Sequence, residues 1–270
     1  MGKIKVKSGR RRARTKPEFG TGPLKYMDDV HRPVVCLAFL LPMLLLYEVG
    51  MVYLVPHLNG ETNTPGRVIA FYLLQKFTGL IGLSGYYMPG VAAVVILVAW
   101  QMARGGRWKV RGQTLLGMLL ESLMLAIPLL VLSHVANSYS AVMAADAGGH
   151  TGVPKWLSDL LLSVGAGIYE ELLFRLILIS ILSILLMDVL RISEGPAIFT
   201  IVMASAVIFS LYHYLGDETF KLHNFVFRTM AGGYLAGVFI LRGFGITVGC
   251  HALYDVAAMI MNGMIYGSEH

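Results

Sequence analysis

The sequence predicts an all-α fold: a polytopic transmembrane helical bundle of about seven spans plus an interfacial helix. Three observations carry that expectation. The 270 residues are 56% hydrophobic and only 14% charged, where soluble domains carry about 25% charged residues. Mean hydropathy is +0.66. Apolar runs near the roughly 20 residues that cross a hydrocarbon core recur along the chain, and no internal repeat or low-complexity tract stands out.

The chain divides by composition into three parts. Residues 1–33 form a basic tail in which Lys3, Lys5, Lys7, Arg10, Arg11, Arg12, Arg14 and Lys16 concentrate the net charge of +6. A cationic tail before an apolar span holds the N-terminus in the cytoplasm against anionic lipid, so membrane lipid is the expected partner and nucleic acid is not. Gly2 is followed by Val6 where myristoylation needs Ser or Thr. The apolar run from Val34 is too long for a cleaved signal and reads as a retained anchor. The two cysteines, Cys36 and Cys250, both lie in apolar surroundings on predicted spans and say nothing about redox compartment.

Residues 34–150 read as N-terminal transmembrane helices. Residues 34–55 make the first span, with a kink expected at Pro42 and Glu48 inside it. Residues 57–66 are a polar turn. Residues 67–83 are interrupted by Gln75 and Lys76, which suits a helix in the interface or lining the bundle. Residues 88–103 make a short second span, and Arg104, Arg107, Lys109 and Arg111 after it belong on the cytoplasmic side. Residues 113–135 make a third span around Glu121. Intramembrane carboxylates such as Glu48 and Glu121 are site candidates by default, and the bland alternative is that each bonds a polar group inside the bundle.

Residues 138–155 are an Ala-, Gly- and Asp-containing seam, and residues 151–270 read as a C-terminal transmembrane core. Residues 156–191 are too long for a perpendicular span, so a tilted or broken helix is expected, entering near Gly165 and Gly167. Residues 198–213 follow as a span. Residues 224–241 carry Gly233 and Gly237 at the small-xxx-small spacing of close helix contacts. Residues 244–265 carry His251 and Asp255. This topology places the N-terminus inside and the C-terminus outside. It also sets His213 near the outer end of its span and His251 near the inner end of the last, so the two meet only if helices tilt or break.

Glu170, Glu171 and Arg175 interrupt an apolar run, at a cost of about 2.5–3.5 kcal/mol per charge at a span centre. On a helix Glu171 and Arg175 are i, i+4 and can pair. Glu170 is turned about 100° away, which leaves a carboxylate without a partner and suited to accept a proton. Phe209 and His213 share a face at i, i+4, as do His251 and Asp255. Cys250 next to His251 is poor geometry for a thiol–imidazole couple, since helical neighbours diverge. Unpaired polar groups are costly in lipid, so these clusters from separate spans are expected to converge on one cavity.

Glu170-Glu171-x-x-x-Arg175, Phe209-x-x-x-His213 and His251-x-x-x-Asp255 resemble, in order and rough spacing, the motifs of the CPBP family of CaaX proteases and bacteriocin-processing enzymes. The helix from Arg228 through Gly233 and Gly237 is similar to that family as well. The resemblance covers about residues 157–264 and implies an intramembrane endopeptidase acting on a peptide or lipidated protein; the Ras-converting members remove the last three residues of prenylated CaaX proteins. The family's third motif ends in Asn or Asp, and Asp255 stands there. On this resemblance Glu170, Glu171, His213, His251 and Asp255 are the catalytic candidates, with Arg175 and Phe209 in positioning roles. Glu170 beside His213 would activate a water, and His251 oriented by Asp255 would donate to the oxyanion. Glu170, His213 and His251 could instead bind zinc, although no His-Glu-x-x-His occurs; no cofactor is favoured. A non-catalytic immunity-type protein using the same cavity, or a transporter, would use the same side chains differently. The family's abundance in bacteria points to the bacterial plasma membrane.

Overall fold

A computed structural model describes residues 23–54, 68–80, 82–83, 85, 87–136, 154–216 and 218–266. The basic residues from Lys3 to Lys16, the turn at 57–66 and nearly all of the seam at 138–155 lie outside the described residues. Every regular element among the described residues is helical. In chain order they are α1 (Pro23–Val30), α2 (Pro33–Leu54), α3 (Ile69–Leu80), α4 (Met88–Arg104), α5 (Gly112–Val135) and α6 (Lys155–Glu171). The helix α6 runs on through a π-helical stretch (Leu172–Leu178), α7 (Ile179–Ser183) and a second π-helical stretch (Ile184–Val189). Then come α8 (Glu194–Tyr212), a 3₁₀ turn (His213–Leu215), α9 (Leu222–Arg242) and α10 (Phe244–Tyr266).

Six helices among the described residues are long and apolar enough to cross a membrane, and α4, at 17 residues, is a shorter apolar helix. The protein is a polytopic integral membrane protein. Its longest helical stretch, Lys155–Val189, has 35 residues, or about 50 Å at 1.5 Å per residue, well beyond a core of about 30 Å.

The long helix expected to be tilted or broken is regular through Gly165 and Gly167, and its winding changes only after Glu171. It packs into the bundle at these two glycines, as expected. A Cβ at Gly165 would lie 2.2 Å from the Tyr47 ring, and one at Gly167 would lie 2.8 Å from the backbone nitrogen of Ala252. Thus α6 is wedged between α2 and α10, with its next turn held against His251. The small-residue contact on α9 is also displaced by one residue. A Cβ at Gly232 would stand 3.0 Å from Phe209 and 3.2 Å from the Ala206 Cα, whereas Gly237 has nothing within 4 Å. The face that meets α8 carries Gly232 and Ala236, the latter clustered with Ile201, whereas Phe227, Ala231 and Leu235 pack with residues of α5 and α10; Gly233 stands further off, its Cβ 3.9 Å from Ala206.

Helix α10 is central, flanked by α5 and α6, with α2 and α9 also against it. A second apolar core joins α2, α3 and α6, where the Tyr47, Phe71 and Tyr169 rings meet edge to face with centroids 5.1–5.2 Å apart across Tyr169. Ala70, Phe71 and Leu74 of α3 are buried in it while Lys76, Phe77 and Leu80 face outward, so α3 lines the bundle with one face. Glu121 receives the Tyr26 hydroxyl at 2.7 Å and Arg242 Nη2 at 2.8 Å, with Arg242 Nε bonded to its other oxygen. Burial, then the Glu121 carboxylate, hold the Tyr26 phenol well above its ordinary pKa. This cluster ties α1, α5 and α9 together.

Candidate active site

Three helices bring the polar motifs together. Glu170 and Glu171 end the regular part of α6, Arg175 lies in the π-helical stretch that follows, Phe209 and His213 come from the end of α8, and His251 and Asp255 come from α10. The length of the Lys155–Val189 stretch makes this possible. Glu170 lies about 22 Å along it from Lys155, at the level reached both by the last turn of α8 and by the second and third turns of α10. Glu170, Glu171, Arg175, His251 and Asp255 are all buried, and Glu171 and Arg175 are 0% exposed.

The predicted pair is present: Arg175 Nε lies 3.1 Å from Glu171 Oε2. Arg175 also donates to the Gly232 carbonyl at 3.2 Å and lies 4.5 Å over the Phe209 ring, so one guanidinium joins three helices. Glu171 has a second partner, His251 Nδ1, at 2.7 Å. Asp255 stands at 3.5 Å from His251 Nε2, which makes Glu171 rather than Asp255 the closely bonded carboxylate of that imidazole. The helical i, i+4 spacing suggested Asp255, and the contact with Glu171, 80 residues away in sequence, is the one that the wedge at Gly167 creates.

Glu170 differs from its neighbour. Its Oε2 lies 3.9 Å from His213 Nε2 and 3.9 Å from His251 Nε2, beyond direct hydrogen bonding and suited to a bridging water. His213 Nδ1 is 2.8 Å from the Phe209 carbonyl. That acceptor requires the proton on Nδ1 and leaves Nε2 of the neutral ring with its lone pair towards Glu170. Phe209 packs edge-on to His213 at 4.9 Å, to His251 at 6.1 Å and to Phe174 at 5.3 Å, and so spaces the two imidazoles.

Tyr212 is a residue that motif spacing did not single out. Its hydroxyl donates to Glu170 Oε1 at 3.4 Å, and its ring stands 4.9 Å from Phe174 and 5.0 Å from His213. The only sequence signal was a hydroxyl-bearing aromatic beside His213. Glu48, the other carboxylate near this region, accepts from the Tyr169 hydroxyl at 2.5 Å, on the α2 side of α6. Cys250 packs in a separate apolar cluster with Leu129 and Tyr254.

Among the described residues no three His, Cys, Asp or Glu side chains stand close enough to hold a metal as they are. Zinc ligands at about 2.0–2.2 Å would require Glu170, His213 and His251 to draw inward. The donor types nevertheless suit zinc, since each imidazole has Nδ1 on an acceptor and Nε2 towards the shared oxygen.

No curated protein and no solved structure matches the chain. One family model does, described as type II CAAX prenyl endopeptidase Rce1-like, over residues 152–257. Every motif residue from Glu170 to Asp255 lies inside that match. Residues 152–257 of this membrane protein therefore match an Rce1-like domain of the type II CAAX prenyl endopeptidase kind.

Proposed function

We propose that this protein hydrolyses a peptide bond of a membrane-associated substrate, a CAAX-like and prenylated protein or peptide, using water activated by Glu170 and His213. The observation that carries this reading is the single oxygen, Glu170 Oε2, facing two imidazole nitrogens at 3.9 Å each. A water in that space can give its proton to Glu170 as its oxygen attacks the scissile carbonyl, and the same proton can pass to the leaving amine. The bare Nε2 of His213 accepts a hydrogen bond from the water and aims it. His251, surrounded by Glu170, Glu171 and Asp255, offers its Nε2 proton to the developing oxyanion, a type of contribution worth about 3–4 kcal/mol. Glu171 and Arg175 fix His251 and Glu170 in register, and Phe209 sets the distance between the rings. The cationic residues after α4 and ahead of α2 support an N-terminus in the cytoplasm.

The test uses purified protein and a prenylated CAAX peptide. Cleavage is expected from the wild type and not from folded Glu170→Gln; robust cleavage by that variant removes the proposed base. The engaged Nδ1 atoms of both histidines favour a second reading, in which zinc sits among Glu170, His213 and His251 as a Lewis acid. Full activity after exhaustive chelation, with no metal in the purified protein, supports the metal-independent mechanism. Loss on chelation and recovery with zinc supports the other.

A further inference from the structure

Away from the motif residues, at the end of the bundle where α2 and α10 begin and α4 and α9 end, a cavity of about 730 Å³ opens. Its floor is apolar: Cys36 and Phe244 are buried there, and Trp100 and Phe239 wall it. Its rim is charged, with Asp28, His31 and Arg104. This grading from apolar floor to ionic rim matches an amphiphile with its headgroup at the boundary and its chains in the hydrocarbon.

The rim is held in place. Arg104 donates from Nη1 to the His31 carbonyl at 2.9 Å and lies 5.8 Å from the Trp100 ring centroid. His31 bonds the Met27 carbonyl through Nδ1 at 2.8 Å, which leaves Nε2 as its remaining polar atom. Its ring lies against Gly243, where a Cβ would be 3.1 Å away and where φ is +84°, so both space and backbone require glycine. The two adjacent aspartates differ. Asp29 is paired with Arg32 at 2.8 Å, whereas among the described residues Asp28 has no ion-pair partner.

We propose that this cavity is a binding site for an aminophospholipid of the ethanolamine type. Arg104 and His31 take the phosphodiester, Asp28 takes the ammonium, and the glycerol end lies over Trp100, Phe239 and Phe244. A rim with one guanidinium and one free carboxylate complements a zwitterion. It also discriminates: a choline headgroup has no N–H to donate to Asp28, and a glycerol headgroup has no cation to offer it.

The experiment titrates the purified full chain in detergent with short-chain phosphatidylethanolamine, phosphatidylcholine and phosphatidylglycerol, and with inorganic phosphate, reading bound lipid by native mass spectrometry and stabilisation by thermal unfolding. The ethanolamine lipid is expected to bind about tenfold more tightly than either other lipid. Arg104→Gln should weaken all three phospholipids. Asp28→Asn, at an exposed position, should remove the preference over choline while folding and peptide cleavage stay unchanged. Equal binding of ethanolamine and choline lipids by the wild type overturns the proposal, as does a preference that survives Asp28→Asn. Tighter binding of phosphatidylglycerol would make the site a simple cation patch, and competition by inorganic phosphate at matching concentration would make it a phosphate site; either overturns the assignment.

Discussion

Glu121 and Glu170 both lie within helices long enough to cross the membrane, and their surroundings are opposite. Glu121 has both oxygens occupied, by Arg242 on one and by Tyr26 and Arg242 on the other. Glu170 has a 3.4 Å contact from Tyr212 and two imidazoles at 3.9 Å. Both carry the cost of charge at membrane depth. Where that cost is offset by close partners, the group is a joint between helices. Where the partners stand one water's width away, the group is available for chemistry. Glu171, one residue from Glu170, belongs with Glu121, since Arg175 and His251 hold both of its oxygens.

That contrast can be broken by substitution, beginning with the largest effect. His213→Ala removes the nitrogen that faces Glu170 without touching a close ion pair, so peptide cleavage should fall by about 10²–10⁴-fold while thermal unfolding in detergent changes little. A comparable loss of stability would move His213 into the structural class. Glu171→Ala leaves Arg175 buried and unpaired, and stability should drop by about 3–5 kcal/mol, with activity lost in parallel; an unshifted unfolding midpoint contradicts its role as a joint. Tyr212→Phe removes the hydroxyl on Glu170 Oε1, and kcat should fall about tenfold, equivalent to about 1.4 kcal/mol, with KM steady. An unchanged kcat denies Tyr212 any hold on the base. Gly232→Ala drives a methyl against Phe209 and Ala206 and should cost about 1–3 kcal/mol, whereas Gly237→Ala should cost nothing measurable in the same unfolding assay.

Much of this was legible in the residues. Composition and apolar run length fix the helical membrane fold, and the expense of unpaired polar groups in lipid implies that Glu170, His213, His251 and Asp255 converge. The Glu171–Arg175 pair follows from helical spacing alone. What was not legible depends on contacts between distant segments. The change of winding after Glu171 has no glycine or proline to mark it. Gly165 and Gly167 mark in sequence where the long helix enters the bundle, but only the fold shows that Tyr47 and Ala252 are what lie against them. The preference of His251 for Glu171 over Asp255 follows from that approach. Tyr212 reads as one more interfacial aromatic until the fold places Glu170 beside it.

The most direct measurement compares cleavage of a prenylated CAAX peptide by folded Glu170→Gln and Glu121→Gln under one set of conditions. The account predicts a loss of about 10³-fold or more for the first and wild-type turnover per folded molecule for the second, whose cost appears only as about 1 kcal/mol of stability. Wild-type turnover by Glu170→Gln, or an equal loss in both variants, would contradict it.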